Sequence, residues 1–304
     1  MADEAHSSVE LECQGAKVYL DYDIHDPPPR PDSNWTRFVC ISDSHAKRFA
    51  VPDGDVLLHS GDLTYYSTLS DFEATLEWLK ELPHPIKIVI GGNHDFALHT
   101  QDGWYDMNYQ RWHMGNKQDV SVISNLFKGD SAKRSGIVYL ENEQHQFRVK
   151  DHAKIWSVYG SPWTPAFYDW AFNYSRGKEA ENLVSTFPQT DVLLTHGPPF
   201  RILDQVLSGG HVGCEALATR LPDLRPRLHV FGHIHEAHGA LIREWAANSD
   251  AGLFGETKAA TSGKNTVFVN AANFPLGPRA RTSDGQEVPV GGAPFQPVIV
   301  DLFD

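Results

Sequence analysis

Phe38-Val39-Cys40-Ile41-Ser42-Asp43-Ser44-His45 runs from four apolar residues directly into a carboxylate and an imidazole two positions apart. An apolar run this short, ending in small polar residues, reads as a buried strand that feeds a loop. The arrangement recurs four more times. Val56-Leu57-Leu58 leads to Gly61-Asp62, and Ile86-Lys87-Ile88-Val89-Ile90 leads to Gly91-Gly92-Asn93-His94-Asp95. Val192-Leu193-Leu194 leads to Thr195-His196-Gly197, and Leu228-His229-Val230-Phe231 leads to Gly232-His233-Ile234-His235. Loops above strand ends are where α/β sheets build sites, so the five clusters predict an α/β fold with one site.

The segments between them fit that expectation. Leu69, Phe72, Leu76 and Leu79 are spaced three or four apart and predict a helix over 69–82, with Ser70 as N-cap, Glu73 three residues on, and Pro83 as its stop. Residues 96–135 are polar and aromatic and read as an insertion with some helix. Strands are expected over 136–140, 146–149, 154–159, 266–269 and 298–302, and helices over 178–187 and 213–221. Residues 277–292 form a Pro/Gly-rich loop. Residues 1–36, which include Asp26-Pro27-Pro28-Pro29-Arg30-Pro31, are an N-terminal arm or leading strand, and 37–304 a single domain without repeats.

Composition excludes several functions. The chain has 304 residues, enough to bury a core, and carries 39 acidic against 26 basic side chains, a net charge of −13. Polymeric nucleic acid needs basic patches, so that partner is not expected. Cys13, Cys40 and Cys214 lack paired spacing, which fits reduced thiols. No apolar run approaches the roughly 18 residues of a membrane span, and the acidic Met-Ala-Asp-Glu-Ala-His start is unlike a signal peptide. The expectation is a cytoplasmic protein without a membrane partner; its oligomeric state is left open.

Carboxylates, imidazoles and an amide gathered at one sheet edge are the ligand set of two adjacent divalent cations. A metal pair about 3.5–4 Å apart can hold a phosphate and activate water for in-line attack. Asp62 ends a buried strand after a glycine that permits close approach, which makes it the natural bridge. Asp43 with His45, and His233 with His235, can each turn two ligands toward the site; Asn93 adds a neutral oxygen and His196 another imidazole. Oxygen and nitrogen donors without thiolate suit manganese, the first expectation, and also iron, zinc or magnesium. His94, beside Asn93, is placed to act as general acid on the leaving group.

These motifs, over roughly residues 37–302, resemble the calcineurin-like metallophosphoesterase superfamily, with its DxH, GD, GNH(D/E), H and GHxH signatures. The resemblance implies a four-layer α/β/β/α sandwich with two mixed sheets. It also implies one metal held by Asp43, His45, Asp62 and His235 and a second by Asp62, Asn93, His196 and His233. Gly160-Ser161-Pro162-Trp163-Thr164-Pro165, Trp170-Ala171-Phe172-Asn173 and Leu194-Thr195-His196-Gly197-Pro198-Pro199 are similar to the narrower metallophosphoesterase-domain-containing group. That likeness implies a metal-dependent phosphodiesterase on a small phosphoester such as a cyclic nucleotide. A phosphomonoesterase on the same site, or a low-activity nucleotide-binding scaffold, are the alternatives. Tyr65-Tyr66-Ser67 stands where serine/threonine protein phosphatases carry Asp-Arg-Gly, which argues against that activity; Tyr65 is expected to pack rather than to ligate.

Trp163, Phe167, Trp170, Phe172 and Arg176 cluster in sequence near the expected cleft. Trp163 or Phe167 is a candidate to stack on a base, and Arg176 to pair with phosphate or a nearby carboxylate. His59 and His229 are read as core histidines, and His211 and His238 as candidates for the pocket rim.

Overall fold

The structure, a computed structural model, describes residues 9–245 and 265–304; the arm expected over 1–36 is therefore described from Val9 onward. In chain order the elements are β1 (Val9–Cys13), β2 (Ala16–Asp21), β3 (Trp35–Ile41), β4 (Val56–His59), α1 (Leu69–Glu81) and β5 (Ile86–Val89). Next come α2 (Trp104–His113), α3 (Val120–Lys128), α4 (Asp130–Arg134), β6 (Ile137–Tyr139), β7 (Glu143–Arg148) and β8 (Ile155–Ser161). Then follow β9 (Thr164–Pro165), β10 (Asn173–Tyr174), α5 (Lys178–Ser185), β11 (Val192–Thr195), α6 (Glu215–Leu224) and β12 (Leu228–Phe231). The last strands are β13 (Gly239–Glu244), β14 (Asn265–Asn270) and β15 (Val298–Phe303).

Two mixed sheets result. The first has the order β1-β2-β15-β3-β4-β5-β6 and the second β13-β14-β12-β11-β8-β7. In the first, β3 to β6 run parallel up to the β6 edge, with antiparallel β15, β2 and β1 on the other side; in the second, parallel β14, β12, β11 and β8 are flanked by antiparallel β13 and β7. Strands buried on both faces read as near-continuous apolar runs; β4, β11 and β12 are buried throughout, and their polar residues His59, Thr195 and His229 are hydrogen-bonded.

Alternate residues sort the chain into layers. Phe38, Cys40, Leu58 and Ile88 of the first sheet meet Trp156, Val158, Leu194 and Val230 of the second in one inter-sheet core. Phe38 and Trp156 pack edge to face across it, 5.0 Å between centroids. Val39, Ile41, Leu57 and Val89 turn to the outer face, under α1, α2 and α3. Leu193, Phe231 and Phe268 face α5 and α6 on the opposite side. The molecule is thus a four-layer α/β/β/α sandwich.

The helix expected over 69–82 is α1, but its cap is not Ser70. Thr68 has extended backbone (φ −83°, ψ 156°), and its hydroxyl accepts from the Asp71 amide at 3.2 Å. The Asp71 carboxylate accepts in return from the Thr68 amide at 3.4 Å, which completes a capping box one turn fragment earlier than the spacing suggested. Ser70 already lies inside the helix. No helix among the described residues is long and apolar enough to cross a membrane.

Parallel pairing in register matters for the site. Ile41 lies opposite His59, His59 opposite Val89, and Leu194 opposite Val230. The loops after β3, β4, β5, β11 and β12 therefore leave the sandwich at one edge.

Candidate metal centre

Hydrogen bonds between loops bring the five clusters together. The Asp43 amide donates to Gly61 O at 2.9 Å, the His45 amide to Asp62 O at 3.1 Å, and the Gly232 amide to His196 O at 3.0 Å. Close approach depends on missing side chains. A Cβ on Gly61 would lie 2.5 Å from Gly91 O and 2.6 Å from His196 Nδ1, and one on Gly232 would strike the Asp43 carboxylate.

Three groups of ligand atoms then converge, each within 4.8 Å: Asp43 with His45 and His235, His45 with Asp62 and His94, and Asp62 with His196 and His233. Asp62 belongs to two of them through different oxygens. Its Oδ1 is 3.4 Å from His196 Nε2, and its Oδ2 is 3.9 Å from His45 Nε2. Asn93 Oδ1 lies 2.8 Å from His196 Nε2, and His235 Nε2 lies 3.1 Å from Asp43 Oδ1. All seven ligands expected from sequence, and His94, are in this one cluster.

The imidazoles are aimed by their far nitrogens. His45 Nδ1 donates to Thr64 O at 3.0 Å, His196 Nδ1 to Ser60 O at 2.9 Å, and His94 Nδ1 to Tyr65 O at 2.9 Å. Giving Nδ1–H to a carbonyl leaves the Nε2 lone pair pointing inward, the arrangement metal-binding histidines use. Asp95 ties two ligand loops together: its carboxylate accepts from the Leu63, Thr64 and Gly92 amides and from the Thr64 hydroxyl. Backbone strain gathers here too. Asp43, His45, Asp62 and His233 have φ of 53°, 47°, 52° and 67°, a left-handed region that non-glycine residues hold only where surroundings enforce it.

The electrostatics call for cations. Asp43, Asp62 and Asp95 are all buried, and the hydrogen bonds and ion pairs of the cluster run to histidines, Asn93 and uncharged groups rather than to lysine or arginine. Buried carboxylates without cationic partners are costly. Burial pushes Asp62 well above the usual carboxylate range, and the neighbouring charges of Asp43 and Asp95 add to it. Burial would raise Asp43 as well, but His235, His196 and His45 hold it well below. Burial lowers His233 to about 3 and His94 to about 4, which keeps their nitrogen lone pairs available. The donor set and its uncompensated charge both fit a pair of divalent ions.

The candidate substrate residues lie elsewhere or are otherwise engaged. Trp163 is half-buried against His99 (5.1 Å) and Phe172 (5.9 Å). Phe167 is exposed and pairs with Tyr168 at 4.3 Å. Arg176 donates to Val212 O and to Gly213 O (2.7 Å) and pairs with Glu215 at 2.6 Å. Of these candidates' neighbours in sequence, Trp170 does meet the cluster, edge-on to His94 at 4.1 Å. Phe274, to which sequence reasoning assigned nothing, packs on His45 (5.1 Å) and His235 (5.4 Å); its only signal was an apolar residue after β14. Tyr65 packs 5.4 Å from both His45 and His94. His59 and His229 are buried, bonded to the Ser44 and Thr195 hydroxyls. His238 is buried with Nε2 on Gln296 O, whereas His211 stays partly exposed.

Residues 23–237 match the calcineurin-like phosphoesterase family. Metallophosphoesterase domain-containing protein 1 of Homo sapiens, and its Mus musculus counterpart, are 38% identical over 231 residues, which cover 71% of this chain. The match spans 65% of those relatives' length. A UPF0046 protein of Caenorhabditis elegans is 37% identical over 224 residues, 70% of this chain and 54% of the relative. Among solved structures, TT1561 of Thermus thermophilus has a TM-score of 0.46 at 11% identity, over 78% of this chain and 89% of that one. On the extent of the family match and the identity to these relatives, the chain belongs to the calcineurin-like phosphoesterases, metal-dependent hydrolases of phosphoesters.

Proposed function

We propose that the chain is a dimetal phosphodiesterase acting on small phosphoesters, cyclic nucleotides foremost, with manganese as its first metal. The observation that carries the reading is the double membership of Asp62, whose two oxygens face separate histidine groups. Divalent ions held there supply charge neutralisation and water activation when bound. Asp43, His45, Asp62 and His235 would hold one, and Asp62, Asn93, His196 and His233 the other.

Preference for a diester follows from charge. A monoester dianion is usually met by arginine or lysine, and the Tyr65-Tyr66-Ser67 loop offers neither. His94 stands beside the cluster, with Nδ1 given to Tyr65 O. It can hand a proton to a leaving oxygen from Nε2 only as the imidazolium. Burial opposes that form, and a bound phosphoester anion favours it.

The test is turnover of bis-p-nitrophenyl phosphate against p-nitrophenyl phosphate by manganese-loaded protein, with Asp62→Asn as control. The diester is expected to turn over faster, and Asp62→Asn to lose activity and one metal equivalent while remaining folded. Faster monoester turnover would reverse the assignment, and no turnover with manganese, zinc, iron or magnesium would overturn the hydrolytic reading.

A further inference from the structure

The chain between His196 and α6 forms a closed loop with a buried carboxylate at its centre. Its ends are pinned where the Phe200 amide donates to Cys214 O at 3.0 Å and the Cys214 amide to Pro198 O at 2.9 Å. Asp204 is fully buried inside. It accepts from the Arg201 amide (2.9 Å), the Gly213 amide (2.9 Å) and, at 2.6 Å, His211 Nδ1. Two of these bonds come from backbone amides, and the third comes from a side chain that is 36% exposed.

That histidine is fixed on several sides. Its backbone pairs with Gln205, its ring stands 5.9 Å from Phe200, and Arg176 holds the Val212 and Gly213 carbonyls that follow it. Among the described residues Nε2 has no hydrogen bond. The loop is also strapped to the metal cluster. Asn270 Nδ2 donates both to Leu203 O (3.0 Å) and to Ile234 O (2.9 Å), and Ile234 lies between the ligands His233 and His235. The Leu207 amide reaches Glu236 Oε1 at 3.4 Å.

We propose that His211 is a substrate-contacting residue beside the metal cluster, with Asp204 as its positioning residue. With Nδ1–H given to Asp204, Nε2 presents a lone pair and takes a hydroxyl or N–H of the substrate's organic part, beyond the phosphate held at the metals. This rests on the phosphoester reading for its substrate class. It assigns to the loop the selectivity for what is esterified, as distinct from hydrolysis. It also gives Arg176 a place: not on phosphate, but as a brace of the backbone that carries His211.

The experiment pairs binding with turnover on manganese-loaded protein. Calorimetry with adenosine 5′-monophosphate, which offers ribose hydroxyls and a base N–H, compares wild type, His211→Ala, His211→Gln and Asp204→Asn. Loss of one such hydrogen bond is expected to weaken binding by about tenfold in His211→Ala. His211→Gln, which keeps an acceptor, recovers part of the loss, and Asp204→Asn moves in the same direction as His211→Ala. For a cyclic nucleotide, KM rises by a similar factor with kcat nearly unchanged. Bis-p-nitrophenyl phosphate, which lacks both donor groups, is unaffected. Equal affinity of wild type and His211→Ala, no binding by wild type, or parallel losses on both substrates overturns the assignment. Wild-type protein that hydrolyses nothing, yet binds the nucleotide about tenfold more tightly than His211→Ala, sinks the hydrolytic reading and leaves the His211 contact standing.

Discussion

His94 and Asp62 differ in what they can be replaced by. Asp62 sits at the meeting of two ligand groups and also accepts the His94 amide at 2.8 Å, so it joins charge, geometry and backbone at one carboxylate. His94 has a narrower task. Its ring is clamped by Tyr65 O and by the edge of Trp170, and its neighbours in the cluster retain their own carbonyl partners without it. His94→Ala is therefore expected to lower kcat by roughly 10²–10⁴, the usual worth of a positioned acid, while both metals stay bound. Turnover measured beside metal analysis of the same preparation checks this. Loss of metal in step with activity would make His94 a ligand instead, a role its distance to His45 and Asp62 also permits.

At the level of elements, α1 provides a direct comparison of pattern with geometry. Thr68→Ala removes the hydroxyl that accepts the Asp71 amide and is expected to cost about 1 kcal/mol in urea unfolding. Ser70→Ala, at the position the spacing favoured, should stay within about 0.5 kcal/mol. The periodic apolar residues located the helix but could not show which of two nearby hydroxyls has extended backbone. The same division holds elsewhere. The strands that lead to the cluster were legible because burial on both faces favours near-continuous apolar runs, as in Val192-Leu193-Leu194. The candidate ligands could be proposed because each follows such a run, and the structure gathers them in one place. β13, Gly-Ala-Leu-Ile-Arg-Glu, was not legible, since an edge strand that is only half-buried along its length carries no such pattern. Trp170 and Phe274 on the cluster, and Asp204 beneath His211, depend on loop paths that no periodicity encodes. The bracing role of Arg176 was hidden for the same reason, because its partners are backbone carbonyls 36 and 37 residues away.

Taken as a whole, the sandwich stores an unusual number of neutral imidazoles in its interior, and this gives its stability a definite dependence on pH. Burial lowers His59 and His229 to about 3 and His84, His99 and His238 to about 4; all five lie outside the ligand set. His45, His94, His196 and His233 are lowered as well, again chiefly by burial. An unfolded histidine titrates near 6.5. Between about pH 6.5 and 4.5 the unfolded chain therefore binds protons that the fold refuses, and stability falls as pH falls. Asp62, Asp95 and Glu141 work in the opposite sense, because burial raises them and the folded state is protonated where the unfolded chain is not. With His145, also lowered by burial, ten histidines among the described residues stand against three raised carboxylates and decide the sign, each group contributing up to about 1.4 kcal/mol per pH unit. Urea unfolding of metal-free protein at pH 7, 6 and 5 should show a midpoint that drops increasingly steeply. His99 offers a local check: the Phe172 amide donates to its Nδ1 at 3.0 Å, so protonation there breaks a buried bond, and His99→Gln should flatten the slope by about one proton. A midpoint constant from pH 7 to 5 would mean that these rings are hydrated in solution, and that the packing around them is looser than the layers described above.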